Sequence, residues 1–323
     1  MKLICGPMAT ISHPAFRILI EKFGFCDEYY TEMINAGSLL NFGPFEKFYI
    51  DPSPVPEKVV WQLTGTDKER MTEAARQLVA LPGIGLDVNM GCSAPDIYKT
   101  GAGIGWMLCD IENTRQMVAS VGKVVLDAGK RFSVKLRLGD EDFTDEGFLS
   151  FCDMLVENGV QLLTLHPRTK KEKLARPPRY SYCQMIAERY KSAGVAVYLN
   201  GNVKDENSFK YAEASCPSCQ GVMISRAAVQ KPWIFRELSS SSDEKITVNM
   251  EELCLEYVDL IEKYQPVEFW KTRLQRFFTY FAMNFKFAHY AQTQFLNALN
   301  NDDLRQRIRD FFEKCPEERA KVL

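Results

Sequence analysis

Eight short apolar runs, each followed by a stretch with helical spacing, constrain this chain more than any other feature. The runs are Leu3–Met8, Glu28–Met33, Lys58–Thr64, Gly85–Met90, Phe132–Leu138, Gln161–His166, Val195–Asn200 and Gly221–Ser225. Each is apolar enough to be buried on both faces, as parallel strands require. Between them lie candidate helices. One is Pro14–Lys22, which Ser12 can cap and Gly24 can end; others are Asp67–Leu81 and Glu146–Asn158, the last closed by Gly159. Eight strand–helix units over roughly 240 residues match the size of an α/β chain closed into a (β/α)₈ TIM barrel. An open doubly wound sheet is the alternative. The count of eight and the even spacing favour the barrel.

Beyond residue 238 the pattern changes. Ser239–Ser242, followed by Asp243-Glu244-Lys245, reads as part of a linker over 239–249. From 250 to 323 the periodicity is helical. Leu253, Tyr257, Val258, Ile261 and Tyr264 recur at three and four, as do Trp270, Leu274, Phe277, Phe278 and Phe281 after Pro266. Leu304–Lys314 completes a small helical unit. The formal net charge of −2 excludes a broad cationic field, so any nucleic-acid contact must come from local patches. No apolar run reaches the length of a membrane span and no signal-peptide core opens the chain, so a cytoplasmic protein is expected. Cys216-Pro217-Ser218-Cys219 is the one close cysteine pair. With three histidines in the chain and no second such pair, no metal is expected.

In such barrels the working residues stand at the C-terminal ends of the strands. Those ends carry Pro7-Met8-Ala9, Gln62, Asn89-Met90-Gly91-Cys92, Lys135-Leu136-Arg137, His166-Pro167-Arg168, Asn200-Gly201-Asn202 and Ser225-Arg226. This ordered series resembles the dihydrouridine synthase family, most specifically at Asn89–Cys92, Ala94-Pro95 and Lys99-Thr100-Gly101-Ala102-Gly103. Lys231-Pro232-Trp233-Ile234-Phe235 is also similar to the family. The resemblance implies bound FMN, NADPH or NADH as reductant, and a uridine of tRNA as substrate. It assigns Cys92 the proton donor's role, which suits a thiol: with a pKa of about 8.5 it is mostly protonated at neutral pH. Pro7, Met8, Ala9, Gln62, Lys135 and His166 are the expected contacts of the flavin ring. Asn200, Gly201, Asn202, Ser225 and Arg226 are expected around its phosphate, and Asn89, Arg137 and Arg168 about the substrate. The barrel (1–238) would hold the cofactor and the helical unit (250–323) the tRNA, in a monomer without a protein partner.

Two segments are candidate RNA contacts. The loop after the sixth strand holds Arg168, Lys170, Lys171, Lys173, Arg176 and Arg179 against the single acid Glu172. From Phe269 to Asn301 no acid occurs, and Lys271, Arg273, Arg276 and Lys286 stand among aromatics. Aromatic faces and cations together suit looped RNA, but the same pattern describes a helix with an aromatic core face and a basic solvated one. Ser93, Asp96, Pro167, Asn202 and Ser225 depart from the commonest family residues. Two other readings stay open: an FMN barrel acting on a small molecule such as a dihydropyrimidine or an enone, and a tRNA-binding protein without catalysis. Cys92, Lys135 and His166 argue against the second, the helical unit against the first.

Overall fold

The computed structural model describes residues 1–172, 175–239 and 245–323. Eight parallel strands form the barrel: β1 (Lys2–Cys5), β2 (Glu28–Tyr30), β3 (Val59–Thr64), β4 (Gly85–Met90), β5 (Arg131–Leu136), β6 (Leu162–Leu165), β7 (Ala196–Asn200) and β8 (Gly221–Ile224). Each pairs with its sequence neighbour, and β1 pairs with β8, so the sheet closes on itself. A two-residue extension, Ile34–Asn35, adds to the upper edge of β3. The open-sheet alternative is thereby excluded. β3 and β4 are buried at every position, the polar Gln62, Thr64, Asp87 and Asn89 included.

Several strands stop short of the apolar runs at their C-terminal ends, because there the backbone turns to side chains for partners. In the first run Met8 N–H is taken by Ser12 Oγ at 2.9 Å, while that hydroxyl donates to Gly6 O at 3.2 Å. Ser12 therefore does not cap the first helix. α1 (Pro14–Glu21) begins with His13 in the cap position and no side-chain cap, and Pro14 has no N–H to satisfy. Its end is as expected: Gly24, at φ +71°, bonds back to Ile20 O.

The main crossover helices are α2 (Lys68–Val79), α3 (Ile111–Asp127), α4 (Asp145–Glu157), α5 (Tyr180–Arg189) and α6 (Glu206–Ser215). At the barrel floor the first residues of three strands meet. Glu28, 1% exposed, accepts from Lys2 Nζ at 3.0 Å, from Arg131 at 2.8 and 2.6 Å, and from Tyr198 Oη at 2.9 Å.

The helical unit comprises α7 (Met250–Tyr264), α8 (Val267–Phe281), α9 (Ala288–Leu296) and α10 (Asn301–Lys314). Part of the segment read as a linker is a strand: β9 (Thr247–Asn249) pairs antiparallel with β10 (Ala320–Val322). Residues 240–244 of that segment lie outside the described residues. The aromatics of α8 go inward. Phe277 stacks on Tyr257 and Phe281, and Phe278, Phe285, Phe295, Phe311 and Phe312 complete a buried ring cluster. Of the two readings of 269–301, the aromatic core face is the one these buried rings support. The unit docks on the barrel through α7 against α1 and through a buried ion pair, Arg273 to Glu32 at 3.0 Å. Among the described residues no helix is long and apolar enough to cross a membrane.

Candidate active site

The barrel's upper end holds two cavities that share Pro7, Lys135 and His166. The smaller, about 190 Å³, is lined also by Met8, Ala9, Met33, Gln62, Asn89, Gly91, Cys92 and Arg137. The larger, about 480 Å³, lies over the ends of β7 and β8 and takes in Asn200, Gly201, Asn202, Ser225 and Arg226. Its lining also includes residues that were not anticipated, among them Val203, Lys204, Gln230 and Tyr280, the last from α8 of the helical unit. Of the sequence-derived candidates, only Arg168 lines neither cavity.

Cys92 sits at the turn after β4, half-buried, and a chain of polar side chains fixes it. Asn89 Oδ1 accepts the N–H of Cys92 at 2.9 Å and that of Gly91 at 3.2 Å. Its amide nitrogen donates to Gln62 Oε1 at 2.9 Å, and Gln62 Nε2 donates to Asp87 Oδ2 at 2.8 Å. Asp87 also accepts from Ser133 Oγ at 2.7 Å. Complete burial pushes the Asp87 carboxyl up to about 6, partly offset by these hydrogen bonds. The amides of Gln62 and Asn89 thus spend their carbonyl oxygens, and one donor each, on organising the loop. From the other side Arg137 Nε donates to Gly91 O at 2.9 Å, and Ile104 N–H to Cys92 O at 3.1 Å. Gly103, at φ +59°, packs so close that a Cβ would fall 2.7 Å from Cys92 O, so no other residue fits there.

The floor of the site is cationic. Burial, and next the charge of Arg137, pulls Lys135 down to about 8; burial and Arg168 bring Arg137 to about 10. Burial, then Arg137, Lys135, Arg168 and Arg226, pushes His166 far below its ordinary value, so its ring is neutral. Arg168 Nη1 lies 2.7 Å from His166 Nε2. A guanidinium only donates, so Nε2 is the acceptor and the ring proton is on Nδ1. Arg168 also donates to Asn202 Oδ1 at 2.9 Å and to Arg176 O, which explains its place behind the histidine. Among the described residues none of Lys135, Arg137, Arg168 and Arg226 forms an ion pair.

Around the larger cavity Asn200 Nδ2 holds Met223 O at 2.8 Å. Gly201, at φ +126°, leaves a Cβ position 3.1 Å from the His166 ring, and its carbonyl accepts from Tyr180 Oη. Ser225 Oγ lies 2.4 Å from where a Cβ of Gly6 would stand, so the departure at 225 is accommodated by a glycine on β1's continuation.

The basic loop after β6 is less free than its sequence suggests. Lys170 pairs with Asp140 and Lys171 with Glu141 at 2.7 Å, both acids coming from the loop after β5, while Arg179 pairs with Glu172. Lys173 lies outside the described residues. Asp96 is exposed beside the Cys92 loop and lines a separate cleft with Asp67 and Arg70. Cys216 and Cys219 are buried thiols, the first donating to Tyr180 O at 3.2 Å, and no cluster able to hold a metal occurs among the described residues.

The arrangement is therefore a thiol and the cations Lys135 and Arg137 lining one cavity, which adjoins a second that Gly201 and Arg226 line. Its relatives agree with that chemistry. A profile described as Dihydrouridine synthase (Dus) matches residues 3–321. A "Probable tRNA-dihydrouridine synthase" of Aquifex aeolicus is 30% identical over 83% of this chain and 82% of its own length. One of Helicobacter pylori is 27% identical over 81% and 77%, and a human "tRNA-dihydrouridine(20a/20b) synthase [NAD(P)+]-like" protein 29% over 72% and 70%. These alignments span most of each partner, barrel and helical unit together in the profile's case, and on them this chain belongs to the dihydrouridine synthase family.

Proposed function

We propose that the chain reduces the C5–C6 double bond of a tRNA uridine, with FMN in the two joined cavities and NADPH or NADH as the reductant that restores it. The activity is that of its family; the observation carrying the division of labour is that Cys92 and Lys135 line one ring-sized cavity. FMN fits the residues present. Its phosphate would meet Gly201, where φ +126° and the nearby His166 ring leave no room for a side chain, and Arg226, which makes no ion pair among the described residues. Pro7, Met8 and Ala9 would offer backbone to the ring, and Lys135 a fixed cation beside its polar edge.

Bound and reduced, the flavin supplies a hydride to C6. Cys92 gives its Sγ–H proton to C5, and the bond electrons stay on sulfur. The thiolate left behind lies where Lys135 and Arg137 both feel its charge, before solvent returns the proton. Arg137 spends Nε and Nη1 on Gly91 O and Thr169 O, which leaves Nη2 for a uracil carbonyl. The neutral His166 offers Nδ1–H to ring or substrate. The target base must leave its stack to reach this depth. We assign RNA holding to the helical unit, residues 250–323, because α8 delivers Tyr280 to the cavity wall, and cofactor binding to residues 1–238.

The test is Cys92→Ala. The variant should retain its flavin and its oxidation of the nicotinamide nucleotide, yet form less than a hundredth of the wild-type dihydrouridine in tRNA. Full turnover would remove Cys92 from the acid's role. A wild-type protein that takes up no flavin would remove the whole reading.

A further inference from the structure

The loop Pro7–Thr10 lines the smaller cavity through Pro7, Met8 and Ala9, and it is not relaxed. Thr10 has φ +64°, a left-handed conformation that a β-branched residue adopts only under strain. Ser12 holds one side of the loop through Met8 N–H. Glu32 faces the other: the backbone amides of Thr10 and Ile11 favour the charge on its buried carboxylate, Ile11 N–H itself bonds to Met8 O at 3.1 Å within the loop, and the residue after Glu32, Met33, lines the same cavity. A carboxylate this deep is a poor anchor alone. Burial raises its pKa, and a protonated acid has less acceptor capacity to offer.

Arg273 supplies what is missing. Its Nη1 stands 3.0 Å from both Glu32 oxygens, although the two residues are 241 apart in sequence and belong to different units. The guanidinium is fixed in turn over Phe269 at 5.0 Å and Tyr49 at 5.8 Å. About two helical turns further along α8, on the same face, is Tyr280 in the wall of the larger cavity. One helix therefore reaches both ends of the site.

We propose that Glu32 and Arg273 are a positioning pair through which the helical unit sets the Pro7–Thr10 loop against the flavin ring. The inference rests on the flavin reading above. Neither residue lines either cavity of the site; both act through the Thr10–Ile11 backbone that Glu32 faces. A mere clamp between units would leave the cofactor untouched in any variant that folds, whereas a positioning pair alters how the flavin is held.

The experiment compares Arg273→Met, Arg273→Lys, Glu32→Gln and the Glu32→Gln/Arg273→Met double variant in the full chain. FMN affinity is read by fluorescence quenching on the cofactor-free protein, and the bound flavin's visible absorbance and circular dichroism are recorded. Arg273→Met and Glu32→Gln should each weaken FMN tenfold or more and shift its spectrum. The double variant should be no worse than Arg273→Met, since both remove one interaction, and Arg273→Lys should recover part of the loss. Folded variants with wild-type FMN affinity and spectrum overturn the proposal. Should Arg273→Met not melt cooperatively, Glu32→Gln, which keeps the side chain's shape, decides by the same readouts. Wild-type protein that binds no FMN would instead indict the flavin reading itself.

Discussion

Asn89→Ala separates two roles that Asn89 could play in the reaction. In the structure its amide accepts the N–H groups of Gly91 and Cys92 and donates to Gln62, so truncation strands two backbone donors and one carbonyl at once. A buried polar group left without its partner costs about 1–3 kcal/mol. Gly91 is buried, whereas Cys92 is half-buried and water can replace part of its loss, so the total is about 2–4 kcal/mol. The catalytic consequence is separate. Once released, the Cys92 loop keeps Arg137 on Gly91 O and Ile104 on Cys92 O but loses its inner bracket. A displacement of about 1 Å at a reacting group costs roughly a hundredfold. The assay is single-turnover dihydrouridine formation with pre-reduced enzyme over a range of tRNA concentrations. A positioning role lowers kcat and kcat/KM together by roughly that factor, with flavin content unchanged. A direct grip on uracil would raise KM and spare kcat. Wild-type kcat in folded Asn89→Ala refutes the reasoning.

Lys135→Met should stabilise the cofactor-free protein at pH 7, because the buried cation weighs against the native state there. The unfolded chain keeps that proton to about 10.5 and the folded one only to about 8, so the native state gains stability as pH rises between them. The difference in Tm between variant and wild type should therefore shrink from pH 7 to pH 10.5, and a constant difference would sink the assignment. Glu28→Ala should cost about 3–5 kcal/mol in urea denaturation by leaving Arg131 buried without its partner. Because that cluster is at the opposite end of the barrel from the cavities, the bound flavin's spectrum should not move; a shift would show the two ends to be coupled.

The barrel was legible because its strands are mostly apolar, and polar residues break that pattern near their C-terminal ends and in the turns that follow. Val88 and Met90 point to packing, Asp87 and Asn89 to something else, and Cys92 follows directly. What the sequence hid was mostly pairing at a distance. Asp87 and Ser133 stand on adjacent strands 46 residues apart, and only register brings them together under Gln62. Lys171 looks like an RNA contact until Glu141, 30 residues earlier, is seen beside it. Arg273 reads as one more surface cation in the acid-free stretch that begins at Phe269; its acid is on the barrel. The periodicity of Leu274, Phe277, Phe278 and Phe281 did mark a buried face, but α9 was missed because it buries only Ala291 and Phe295 and so shows little period.

The crowd of positive charge around His166 has a consequence for the molecule's life before it works. Lys135, Arg137, Arg168 and Arg226, with no ion pair of their own among the described residues, repel one another around that ring, and a bound anion would relieve the repulsion. Loading and durability would then be one quantity, with the empty copy the softer form and an anion bound there raising Tm as its supply rises.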